Sequence, residues 1–485
     1  MKRFLWLGCV LFVYMICTGC GDTFRPIIIP NPPSFPNPQA AHTVVAINDN
    51  AASSGPDTVF GTAMVIDVSG DSDESIANVG LAPVHAVQQS AGEILVVNQS
   101  VTGAQRDSVT KLNFSNTSIA STSTISMPLN SAPNFVATTE SNEAYVSLPN
   151  YLNPNTNTVT PSIAVISTTT NSITNTIPLG AGAAPVAIVE TPDTKKLYVA
   201  NNGMGTIIGT ISGFNTVDES PRLINGTLSN KPIWLAARSD SQAVYVLEET
   251  TGTLAWINTS TTAGPDTLAE TAINVPNANI MTYDPNLLRL YIPGGQEVAI
   301  IDISQSPPVY LAGGPLTIPT VSPSSRSAGD PCALTSPQTL TVFGVAALPD
   351  GSRAYVGAYY TDANDNICPQ VTVINATNNA IQTPSIPIPG FPDATNPTSL
   401  YYVPDCANTR DVVGPLGSGF RFMMAAGGDS TRAYLSSCDG GLVDIINTST
   451  DSYLVNITAP IGVRTLIPPA LQNPPMNPIF LIAGP

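Results

Sequence analysis

Histidine is almost absent from this 485-residue chain, which holds only His42 and His85. Chemistry that needs several histidine ligands, or a histidine base beyond residue 85, has nothing to draw on. Charge is scarce as well, at 11% of residues, and what there is leans acidic: Lys+Arg 17 against Asp+Glu 34, a net charge of −17. That balance excludes binding to a phosphate backbone, so no nucleic acid partner is expected. So few Lys, Glu and Arg also exclude coiled coils and long surface helices, while a hydrophobic content of 43% is too high for a disordered chain. No glycine-rich phosphate loop, dinucleotide fingerprint or Gly-x-Ser-x-Gly elbow occurs. What fills the chain instead is Ser, Thr and Asn with 45 Pro and 36 Gly, over a length about three times the ~150 residues of an average domain.

The first residues read as an address. Met1-Lys2-Arg3 is a positive n-region, and Phe4 to Ile16 is an apolar run of signal-peptide length, shorter than a membrane span. It ends in Cys17-Thr18-Gly19-Cys20, followed by Gly21-Asp22. This resembles the lipobox of bacterial lipoproteins, although Cys17 stands where that motif usually has Leu. The resemblance implies a signal peptide over 1–19 and acylation of Cys20, whose several chains would anchor the protein to a membrane at ~0.8 kcal/mol per buried CH₂. From Pro26 to Pro38, six prolines in thirteen residues predict a semi-rigid extended tether, because proline fixes φ and donates no hydrogen bond. The segment 20–40 is therefore read as lipid site and tether.

From residue 41 to 485 a repeat organises the chain. A short strand with a central aromatic or leucine recurs seven times, at Leu95-Val96-Val97-Asn98 and around Tyr145, Tyr198, Tyr245, Tyr291, Tyr355 and Tyr434. A second alternating strand follows most of them, as in Ile163 to Ser167, Leu254 to Asn258, Val298 to Asp302, Val371 to Asn375 and Leu442 to Asn447. Two further β segments lead on to the next copy. Four short strands per ~45 residues, punctuated by Gly, Pro, Asn and Asp, predict an all-β β-propeller of four-stranded blades. The tyrosines are read as packing between blades, since one blade cannot bury both faces alone.

Leu197-Tyr198-Val199-Ala200-Asn201-Asn202, the Ile-Pro-Leu-Gly at 177–180 and Leu348-Pro349-Asp350-Gly351-Ser352-Arg353-Ala354-Tyr355-Val356 resemble the repeat of the YVTN or YncE-like propellers. That family includes bacterial surface and periplasmic proteins and is defined by packing residues, so the resemblance implies a fold and not a ligand. The steps from Tyr291 to Tyr355 and from Tyr355 to Tyr434 are 64 and 79 residues, which places insertions at about 316–341 and 390–419. Val44 to Asn48, Met64 to Asp67 and Ser75 to Val79 read as the outer strands of a further blade, with Val463 to Ile467 as its inner strand. Closure of the ring by N- and C-terminal strands removes the exposed edges. The count is then eight, seven being the number the family favours, and Ile479 to Ile482 has no place in it.

Cys9 and Cys17 leave with the signal, so the body keeps Cys332, Cys368, Cys406 and Cys438. An even number in an exported chain points to disulfides, and dispersed cysteines without CxxC spacing argue against zinc. On the blade map Cys332 and Cys406 lie in the insertions before two inner strands. Cys368 and Cys438 lie in the loops after the corresponding second strands. Both loop types leave a propeller on one face, so the pairs expected are Cys332 with Cys368 and Cys406 with Cys438.

Candidate chemistry is thin. Asp362 to Asn366 alternates oxygen donors as a calcium loop does, but Ile367 replaces the turn glycine and Val373 the bidentate Glu, so an acidic turn is expected. Asp71 to Ser75 is a weaker version. No cofactor is assigned, calcium being the one option, and no metal or catalytic residue is named. His85 is read as packing within its blade. The expected role is a non-enzymatic, lipid-anchored cell-envelope scaffold facing the periplasm or the exterior. Its insertion-bearing face, with Tyr359, Tyr360, Tyr401 and Tyr402, would meet an envelope protein or a glycan. The alternative is a propeller enzyme, lactonase-like or quinone-dependent dehydrogenase-like, with a metal in the channel. The inner strands expected at Ala184 to Val189, Ile233 to Ala237, Val342 to Ala347 and Phe420 to Ala425 are apolar, with only Glu190 and Arg421 nearby, which disfavours it.

Overall fold

The computed structural model describes residues 43–483, apart from loop stretches of which the longest are 51–59, 100–106, 324–331 (Arg326 excepted), 393–419 and 463–474. The signal segment, Cys20, the tether and His42 lie outside the described residues. No α-helix occurs among the described residues, so none there crosses a membrane. The strands form eight blades in a ring, a β-propeller, with a small extra hairpin at Leu152–Asn153 and Thr158–Val159. The inner strands, in blade order, are Pro83–Ser90, Val136–Ala137, Pro185–Glu190, Pro232–Ala237, Thr282–Asp284, Thr341–Ala347, Phe422–Ala426 and Asn477–Ala483.

The eighth blade is built from both ends of the chain: Asn477–Ala483 pairs with Thr43–Asp49, which continues outward through Thr62–Asp67 to Ser72–Asn78. Closure by terminal strands is as expected, but the closing strand differs. It is the unassigned C-terminal segment, and Val463 to Ile467 lies outside the described residues. The expected strand carries Arg464, whereas Asn477–Ala483 has no charge and buries its first five residues.

Each blade runs antiparallel, so all inner strands start at one end of the ring, which also carries the loop between second and third strands. We call this the insertion end. The other, the turn end, carries the tight turns, and there the repeat is strictest. Turns after the third strands place Asp71, Asn171, Asn379 and Asp451 at φ of 48–55°, with a bulge in the pairing beside each. Asn and Asp tolerate this left-handed conformation better than other side chains. Three of them serve the preceding blade. A cation two residues before the central tyrosine reaches across: Arg289 to Asn379 Oδ1 at 3.0 Å, Arg353 to Asp451 Oδ1 at 2.6 Å, and Arg432 to both Asp71 oxygens at 2.8 and 2.9 Å. Lys196 plays the same part toward Thr259 at 3.0 Å.

Tyr145, Tyr198, Tyr245, Tyr291, Tyr355 and Tyr434 are fully buried. They do more than pack. Tyr198 donates to Asp266 Oδ2 at 2.8 Å, an oxygen also held by Arg222, and Tyr355 donates to Asp451 at 2.6 Å. Burial pushes these phenols well above their ordinary range, which keeps them protonated as donors. At the insertion end of the second strands, Asn98 donates its amide to Thr110 at 3.0 Å, and Asn201 does likewise to Ser212. The core is a series of interblade apolar clusters, each shared by consecutive blades.

Candidate functional site

Two features of the insertion end stand out from the repeat. The first is the elaboration of blades six and seven. The second and third strands of blade six, Arg353–Thr361 and Asn366–Asn375, outgrow those of the other blades and pair as far as Thr361 with Ile367. Cys368 therefore lies within a strand, not in a loop as expected, because the hairpin continues past the usual turn point. It is disulfide-bonded to Cys332, which ties the insertion preceding the blade to its edge. A side chain at Gly390 would collide with Cys332 Sγ. Arg326, buried, donates to Ile388 O at 2.9 Å and Pro369 O at 2.7 Å and lies 5.7 Å over the Tyr360 ring. Tyr360 donates to Cys332 O at 2.7 Å.

Tyr360 is thus an internal strut with 3% exposure, which corrects its expected place on a contact surface. In a strand extended by pairing, alternate side chains face opposite sides, and Tyr360 falls on the inner one. Tyr359 is half-buried, stacked 5.0 Å from Phe422. Tyr401, Tyr402 and Cys406 lie outside the described residues. Cys438 is disulfide-bonded, and its neighbour Asp439 takes Arg421 at 2.5 Å while Asn477 of the closing strand donates to Cys438 O at 2.7 Å. Asp362 uses its carboxylate on Asn366, through the backbone NH and the amide at 2.8 Å each, the behaviour of an acidic turn. Asp71 of the weaker motif is the partner of Arg432 described above. Among the described residues no group of three or more His, Cys, Asp or Glu is placed to hold a metal ion.

The second feature is in the channel. Strand pairing makes His85, Phe135, Trp234, Ile280, Gly344, Met423 and Phe480 register equivalents, one from each of seven blades. With Phe420 the aromatics among them close a ring of contacts: His85–Phe135 3.7 Å, Phe135–Trp234 5.6 Å, Trp234–Phe420 5.9 Å, Phe420–Phe480 5.7 Å and Phe480–His85 4.8 Å. Centroid separations of 4.5–7 Å are the favourable range for aromatic pairs. His85 Nδ1 accepts from Val136 N at 3.4 Å, so it packs between two blades instead of within its own.

Below this layer, toward the turn end, lies a cavity of about 350 Å³ bounded chiefly by blades five to seven. Its walls include Met281, Met423, Met424 and Ala425, and among the described residues no ionisable side chain contributes. Glu190, at the turn end of blade three, is not part of it. Its Oε2 accepts from Thr139 N and Oγ1, both at 2.8 Å, and burial lifts its carboxyl to about 7. Asp444 is the other anomaly: it is buried between blades six and seven with neither carboxyl oxygen partnered, and burial pushes it up to about 8.

No protein-family model matches the chain, and no curated protein is similar to it in sequence. Similar solved structures are β-propellers. Apo AztD from Citrobacter koseri aligns over 91% of this chain and 98% of its own with a TM-score of 0.54 and 10% identity. The dihydro-heme d1 dehydrogenase NirN, in complex with DHE, aligns over 88% of this chain and 75% of its own, with a TM-score of 0.52 and 12% identity. At such identities the likeness defines the fold alone, and the class of this protein is β-propeller.

Proposed function

We propose that the protein is a non-enzymatic binding scaffold of the bacterial cell envelope, a YVTN/YncE-like propeller anchored by lipid at Cys20 and facing the periplasm or the exterior. Its insertion-bearing end meets an envelope protein or a glycan. The observation that carries this reading is the internal bracing of blade six. A disulfide, a buried arginine and a buried tyrosine all serve to hold an insertion in a fixed place, an investment suited to a preorganised contact surface. Among the described residues, the wall of the central cavity holds no ionisable side chain to act as an acid or base in catalysis.

Two measurements test it. Metabolic labelling with an alkynyl fatty acid is expected to mark the protein and to fail for Cys20→Ser; labelling of that variant would refute the anchor. Crosslinked capture from envelope extracts is expected to lose a specific partner in the Tyr401→Ala/Tyr402→Ala variant, with unfolding unchanged. A partner retained at full yield would overturn the assignment of the face.

A further inference from the structure

The central cavity is distinct from the insertion surface, although Phe422 in its wall also stacks on Tyr359, and its shape follows from the sequence. The inner-strand residue paired with each central tyrosine or its equivalent sets the channel width at one level. It is Val87, Val189 and Ile482 in blades one, three and eight, but Ala137 in blade two and Ala236, Thr282, Ala346 and Ala425 in blades four to seven. Four consecutive small residues, in blades four to seven, hollow the channel on one side. Trp234, Gly344 and Met423 of the register layer form part of its wall, and Ala347 and Ala426 line it at the turn end.

We propose that this hollow is a binding site for a small, uncharged aromatic molecule. Its volume of about 350 Å³ is within the ~300–1,000 Å³ of small-molecule pockets. Trp234 and Met423, both half-exposed, present ring and thioether surface to it. Thioethers and aromatic edges favour a π-system over an aliphatic chain of equal size. The one hydroxyl in the wall, Thr282 Oγ1, is already spent on Val345 O at 2.9 Å. A charged ligand would lose its hydration against a wall whose described side chains carry no charge to answer it, so the site selects for neutrality.

The test uses the full chain held in an amphipathic polymer, with 1-bromonaphthalene as probe and quenching of tryptophan emission as readout. Saturable quenching is expected, carried by Trp234 and absent from Trp234→Phe, which retains Trp256 as an internal reference. Ala425→Phe fills the hollow and is expected to weaken the probe at least ten-fold; Ala346→Val serves the same purpose should the larger residue impair folding. A bromonaphthalene sulfonate is expected to bind at least ten-fold more weakly than the neutral probe. Non-saturable quenching, equal quenching in the filled variants, or equal affinity for the sulfonate would each overturn the proposal. None of these readouts depends on a partner at the insertion end, so this site and the scaffold role fail separately.

Discussion

The two ends of the ring are held together by different means. At the turn end the same device recurs from blade to blade: a cation two residues before the tyrosine, answered by an Asn, Asp or Thr at the next blade's turn. At the insertion end the bracing differs more among blades. Blade six relies on a disulfide and a buried arginine, blade seven on Arg421 with Asp439, and blades one and three on an asparagine bridge. Periodic stitching makes one end interchangeable among blades and releases the other end to vary. The variable end is where a propeller can place a binding surface without losing the ring.

The sharpest way to break this contrast is to remove the brace of blade six. The Cys332→Ala/Cys368→Ala variant opens a covalent link across 36 residues and is expected to lose about 4 kcal/mol in the chain-entropy account, read by urea unfolding. A loss no larger than that of a single turn-end clamp would dissolve the distinction. Next comes the clamp that seals the ring. Arg432→Met is expected to cost about 2–3 kcal/mol, as for a charged hydrogen-bonded group, and Asp71→Ala added to it should cost little more. Additive losses would mean that the two groups act separately.

Asp444 offers a third test, because equivalent third-strand positions hold Thr110 in blade one and Thr372 in blade six. Its folded pKa, about 8, lies above that of an unfolded carboxyl, so the unfolded chain releases the proton first. Stability contributed by the protonated group therefore falls as pH rises from about 4 to about 8. Glu190 and Glu248, each lifted to about 7 by burial, act in the same direction. Asp444→Thr is expected to stabilise by roughly 1–2 kcal/mol at pH 8 and to shallow the decline in melting temperature between pH 5 and pH 8. An unchanged slope would show that Asp444 is partnered in solution. The smallest effect is expected from Asn98→Ala, about 1 kcal/mol for its amide bridge to Thr110, read in the same unfolding assay.

The blade pattern was legible because its signal is periodic: tyrosines spaced by one blade, and alternating strands with turn residues between them. The cations were equally visible, as Lys196-Leu-Tyr, Arg289-Leu-Tyr, Arg353-Ala-Tyr and Arg432-Ala-Tyr, but their meaning needs the next blade's turn in place. Closure by terminal strands could be inferred while the strand itself could not, since Val463 to Ile467 and Ile479 to Ile482 are both short apolar runs. The aromatic layer was out of reach. Its members sit ten residues before Leu95 and Tyr145 but eleven before Tyr245, a difference in hairpin length, and Phe480 lies at the other end of the chain from its partner strand, so only the paired register aligns them. Tyr360 was misplaced for a related reason: the length of the blade-six hairpin decides which side of the sheet it faces.

Closing the last blade with strands from opposite ends of the chain also sets a timetable. As the polypeptide is synthesised, Thr43–Asp49 precedes its partner Asn477–Ala483 by the other seven blades. Throughout that interval a strand whose seven residues are all buried in the finished sheet lacks its inner neighbour and presents an open hydrogen-bonding edge. Completion of the sheet thus reports that all the blades between the two strands have been made. A product truncated before residue 477 would retain seven blades and an unfinished eighth, a species marked for association or degradation by the edge it could not cover.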